Sequence, residues 1–88
     1  MNKYLITYDL KNKSHNYNDL YLSIKSLGSW WHYLDSTWII KTNLNSAQIW
    51  NFLGRHITTV DHMLIVKIEP NDKFGWLPQD AWNWLNQY

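Results

Sequence analysis

Hydrophobic positions in this chain alternate between strand-like and helix-like spacing, and the switches mark out its elements. Residues 3–10, "KYLITYDL", are aromatic and β-branched and stop at the polar run "KNKSHN", which predicts a strand followed by a loop. Leu20, Ile24 and Leu27 then recur at i, i+4 and i+7, the spacing of one helix face, with Gly28 in the C′ position. "WWHYL" and "TWIIKT" flank Asp35 and Ser36, both turn formers, so residues 30–42 read as a hairpin with a two-residue turn. Asn45 or Ser46 caps a second helix whose stripe is Ile49, Trp50 and Leu53. "MLIVKI" (63–68) is a further strand. Beyond a polar connection, Ala81, Trp84, Leu85 and Tyr88 repeat at helical spacing behind Pro78.

The order βαββαβ plus a C-terminal helix predicts an α+β fold of ferredoxin-like type, a single domain over residues 1–88. Its sheet is expected to be antiparallel and four-stranded, in the order 4-1-3-2, with the first two helices on one face. That topology brings the end of the first strand (Asp9 to His15), the hairpin turn (Asp35, Ser36) and the start of the fourth strand (Asp61, His62) to one edge.

A two-residue turn sets Leu34 opposite Thr37, Trp31 opposite Ile40 and Trp30 opposite Lys41. The helix-covered face then carries Trp31, Tyr33, Trp38 and Ile40, with Tyr4, Ile6 and Tyr8 of the first strand and Leu64, Val66 and Ile68 of the fourth. The opposite face carries Leu5, Thr7, Asp9, Trp30, His32, Leu34, Ile39, Lys41, Met63, Ile65 and Lys67. Such a face is too apolar to stay bare and too polar for a core, and exposed apolar patches of this kind mark interfaces. A second copy, the C-terminal helix, or a ligand or nucleic acid are its possible occupants. A slip of one residue in the hairpin would exchange its faces.

Composition narrows the choice. The chain has 88 residues, no cysteine, seven Trp and six Tyr. A domain this short buries only about 60–65% of its unfolded surface. Without disulfides or thiolate metal sites, large rings or a partner subunit must supply stability. Each ring buries roughly 150–250 Å², and the excess of rings argues for a second buried surface and so for a homodimer. The formal charge is +1, so no global field draws the chain to nucleic acid or to an anionic membrane. The sequence contains no signal-peptide core and no long apolar run, so a cytoplasmic protein is expected.

"YLITYDL", an apolar strand ending in Tyr8 and Asp9 ahead of a loop and helix, resembles the small dimeric ferredoxin-like proteins of CRISPR spacer acquisition. The resemblance implies a bacterial or phage homodimer in which Asp9 takes the place of a strand-terminal aspartate proposed to bind metal for phosphodiester cleavage. "LGSWWHYLDSTWIIKT", "LIVKI" and "GWLPQDAW" together resemble small bacterial and phage proteins called SinR-like, over nearly the whole chain. That second resemblance implies no particular activity.

Two sets of residues carry candidate chemistry. Metal-assisted phosphodiester hydrolysis needs two or more carboxylates around Mg²⁺; Asp9, Asp35 and Asp61 are the candidate ligands, and His62 is the candidate general base. Asp35 and Asp61 also sit where Asx turns are expected. A nucleotide or single-stranded phosphate chain would instead be held without catalysis, by Lys11 and Lys13 in the loop and by Thr7, Trp30, His32, Lys41 and Lys67 on the open face, with Trp30 as the stacking ring. A third reading is an adaptor or anti-defence regulator that docks another protein. In the tail, Trp84 and Leu85 share the buried stripe, Trp82 points toward a second subunit, and Trp76 can line a pocket.

Overall fold

A computed structural model of the chain describes residues 1–87. The chain runs β1 (Asn2–Asp9), α1 (Asn18–Ser26), β2 (Ser29–Leu34), β3 (Thr37–Thr42), α2 (Ser46–Leu53), β4 (His62–Lys67) and α3 (Gln79–Leu85), with a single 3-10 turn after α2. The fold is α+β, an antiparallel four-stranded sheet with three helices, and the strands lie in the order β2-β3-β1-β4. No helix of the described residues is long and apolar enough to cross a membrane.

Two apolar clusters sit on opposite faces of the sheet. Leu20 and Ile24 of α1 and Ile49 and Leu53 of α2 pack on Tyr4, Ile6, Trp38 and Ile40. On the other face α3 lays Ala81 and Leu85 on Trp31 and Ile39. Each helix thus buries its i, i+4 pair, as the spacing predicts. At the start of α2, Asn45 accepts from the Gln48 amide while the Gln48 side chain accepts from the Asn45 amide, a capping box that fixes the first turn.

The predicted faces need three corrections. Leu34 does pair with Thr37 across the two-residue turn, but further along Trp31 pairs with Ile39 and Trp30 with Ile40. Between these pairs β2 spends two residues, His32 and Tyr33, where β3 spends one, Trp38. This bulge inverts the phase of the strand beyond it. Trp31 therefore lies under α3 and is 2% exposed, whereas Trp30 is on the α1 side and 44% exposed. His32 follows Trp38 onto the α1 side, and Tyr33 stands beside Trp31. In β4 the pairing Leu5–Val66 and Ile6–Ile65 places Met63 and Ile65 toward α1 and α2 and leaves Leu64 and Val66 on the α3 side, the reverse of the alternation expected. Trp50, expected in the α2 stripe, is exposed, and Trp82 packs against the α3 cluster. Tyr88 lies outside the described residues.

Two connections show why particular residues stand where they do. A Cβ on Gly28 would lie 2.1 Å from the Lys41 carbonyl oxygen, so its place at the end of α1 is set by the close approach of β3. Ser36 has φ 55°, the left-handed conformation that glycine adopts without strain. Its carbonyl accepts from the Tyr8 amide and the Thr7 hydroxyl, bonds that involve only the Ser36 backbone. Ser36→Gly should relieve about 1–2 kcal/mol of strain against about 0.4–1 kcal/mol of added unfolded-chain entropy. The expected result is a melting temperature a few degrees higher, readable in a thermal melt.

Candidate functional site

The expected gathering of loops at one end of the sheet is present. Asp9 pairs with His62 across β1 and β4, and the hairpin turn is tied to Tyr8 and Thr7. The carboxylates nevertheless part company. Asp61 is buried and accepts from the Lys11 amide at 2.7 Å, from the Thr58 amide at 2.7 Å and from the Thr58 hydroxyl at 3.0 Å. The Tyr17 hydroxyl lies 2.8 Å from both its oxygens. Burial alone would raise the pKa of this carboxyl. The amides of Lys11 and Thr58, helped by the two hydroxyls, outweigh burial and hold it well below the usual carboxylate range. Burial, followed by the neighbouring carboxylate, pushes the Tyr17 phenol up. Asp61 is the pin that locks the β1–α1 loop to the loop before β4.

With its lone pairs committed to these donors, Asp61 does not fit a shared Mg²⁺ site with Asp9 and Asp35. Asp9 is exposed and sits 3.4 Å from the Lys11 ammonium. Among the described residues no three His, Asp or Glu side chains come together as a metal-binding group. His62 is exposed beside Asp9 at the start of β4.

Asp9 and Asp35 instead line an open cleft of about 720 Å³ between α1 and the β2–β3 hairpin, together with Tyr8, Tyr21, Lys25, His32 and Trp38. The bulge is what brings His32 here. Its ring lies flat on Trp38, centroids 3.8 Å apart and planes 3° from parallel. His32 Nδ1 is 2.9 Å from the Thr37 carbonyl, which can only accept, so Nδ1 carries the hydrogen. This bond and the stacking on Trp38 together fix the plane of the ring. Beneath it the Trp38 indole N–H donates to the Tyr8 hydroxyl at 3.0 Å, and Tyr21 stacks on Trp38 from α1. Burial raises the Tyr8 pKa, so the phenol stays neutral. Just beyond the cleft lies Trp30, its ring 5.5 Å from Trp38, and the Lys25 ammonium sits 4.9 Å from the Trp30 centroid and 6.0 Å from that of Trp38.

The other candidate binding residues are scattered. Thr7 faces the α3 side, bonded to Ser36 and Thr37. Lys11 and Lys13 are exposed in the β1–α1 loop. Lys41 pairs with Lys3 at the far end of the sheet, where burial, then Lys41 and Lys73, lower the Lys3 pKa and the Lys3 ammonium donates to the Gln87 carbonyl. Lys67 lies at the end of β4. They form no single basic surface with Trp30 and His32. Lys25 and Tyr21, which do join these rings, were not among the expected site residues; the helical spacing that put Ile24 in the core also puts both of them on its flanks, toward β2.

Comparison with protein-family models, with curated proteins and with solved structures finds no match to this chain.

Proposed function

We propose that the chain is a small non-catalytic binding domain of ferredoxin-like type that takes a nucleotide, or an exposed base of a single strand, in the cleft between α1 and the hairpin. The sheet order, with α1 and α2 together on one face, supports the fold reading. The observation that carries the functional reading is Lys25, whose ammonium stands beside the half-exposed Trp30 ring while His32 lies flat on Trp38. A planar ring stacks on such a platform at about 1–3 kcal/mol per base. The lysine meets the attached phosphate, and Asp35 on the cleft rim can accept from a sugar hydroxyl or a base amino group.

Calorimetric titration with adenosine and guanosine monophosphates and with short oligonucleotides tests this. Binding is expected to weaken as salt rises. Trp30→Ala should reduce affinity roughly 5- to 150-fold, the range that about 1–3 kcal/mol of stacking spans, and Lys25→Ala should weaken binding and its salt dependence. A wild-type protein with no heat of binding to any of these ligands removes the reading. Asp9 and Asp35 share the cleft rim, so the same preparations are incubated with nucleic acid and Mg²⁺. Cleavage that Asp9→Asn abolishes would establish a nuclease instead.

A further inference from the structure

The sheet face opposite the cleft is only half covered by α3. Beside the helix runs an open groove of about 480 Å³ with Leu5, Trp31, Ile39 and Val66 among its lining residues. The neighbouring Leu64 is 58% exposed and Val66 43%. At the mouth of this groove the segment joining β4 to α3 holds two aromatic rings entirely in solvent, Phe74 and Trp76, which are 104% and 99% exposed. Gly75 between them has nothing within 4 Å of where its side chain would begin. Phe74 stands on the rim of this groove without filling it, so one chain carries both an open apolar groove and two rings left in solvent.

We propose that the groove receives the Phe74–Gly75–Trp76 segment of a second copy of this chain, exchanged reciprocally to give a homodimer. A two-fold axis satisfies both halves at once, because in such an interface the arm of each subunit meets the groove of the other. The area is sufficient. Two rings bury roughly 300–500 Å² between them, and the exposed halves of Leu34, Leu64 and Val66 take each side toward the about 800 Å² of a standard interface. Charge points to the same occupant. Lys67 and Lys73 at the groove are balanced by Glu69 and Asp72, so two copies meet without like-charge repulsion, whereas a nucleic acid finds no net positive field here. This surface is on the other side of the sheet from the nucleotide cleft, so either can fail without the other.

Sedimentation equilibrium of the full chain over a range of concentrations should show a dimer. The double variant Phe74→Ser/Trp76→Ser should be a monomer with unchanged far-UV circular dichroism, since both rings are in solvent within one subunit. The chain has no cysteine, so introduced thiols are unique. Val66→Cys and Gly75→Cys chains, mixed and oxidised, should give a disulfide-linked pair of one of each. A wild type that stays monomeric at every concentration overturns the proposal, and so does a dimer that survives loss of both rings. It is equally overturned if a chain carrying both cysteines closes its own disulfide at high dilution while the mixed pair does not form, because the arm then serves its own groove.

Discussion

Trp31→Ala should cost about 3–5 kcal/mol, the range for deleting a large buried ring, out of a total that for small domains is about 5–15 kcal/mol. The reason is local and specific. Trp31 is the floor on which α3 rests, touching the cluster of Ile39, Ala81 and Leu85, and its indole N–H donates to the Ala81 carbonyl at 3.2 Å inside the core. Removing the ring leaves a cavity under a short helix and takes away the one bond from the sheet to the Ala81 carbonyl, and a seven-residue helix has little stability apart from its packing. Hydrogen exchange should therefore show the amides of 79–85 losing protection while those of β1 and β3 keep theirs. The neighbouring Trp30→Ala should cost under about 1 kcal/mol, as surface substitutions do. The two denaturation curves side by side test the bulge: if Trp30 proves the costlier loss, the register drawn here is wrong.

Asp61→Asn should lower the melting temperature at neutral pH by roughly 10 °C, because an amide nitrogen is turned toward donors that a carboxylate had satisfied. The effect also has a sign in pH. The folded-state pKa of Asp61 is depressed below its unfolded value of 3.8, so the unfolded chain binds the proton first. The stabilisation is complete above that value and is lost as the pH falls through it toward the folded pKa. Melting temperatures of wild type and variant, measured from pH 7 down to pH 2, should stay apart by a constant amount until about pH 4. Below that they should converge. Parallel curves across the whole range would show that the carboxylate is not what ties the two loops together.

The elements were legible in the sequence because each rests on a local rule. The Leu20–Ile24 spacing, the Asn45 cap and the Asp35–Ser36 turn all stand in the structure as read. The element order was also enough to bring Asp9, the hairpin turn and His62 to one end of the sheet. What could not be read was phase. An extra residue at His32–Tyr33 leaves no mark in a run where every residue favours a strand, yet it decides which of two adjacent tryptophans is core. The β4 strand failed for a related reason. "MLIVKI" is apolar on both faces, so alternation carries no information about which side meets the helices. Lys25 escaped notice because its helix was read for its buried stripe alone. Asp61 was read as a metal ligand or a turn residue; its bonds with Thr58 are local, as a turn residue's are, but Lys11 and Tyr17 are distant in sequence and reach it only through the fold.

The bulge in β2 has an evolutionary corollary. It gives one short hairpin an extra residue, His32 or Tyr33, that has no counterpart of its own on β3. Losing the His32 codon would leave the pairs on either side in step, Trp31 with Ile39 and Trp30 with Ile40, so both indoles would keep their faces and only the ring lying on Trp38 would go.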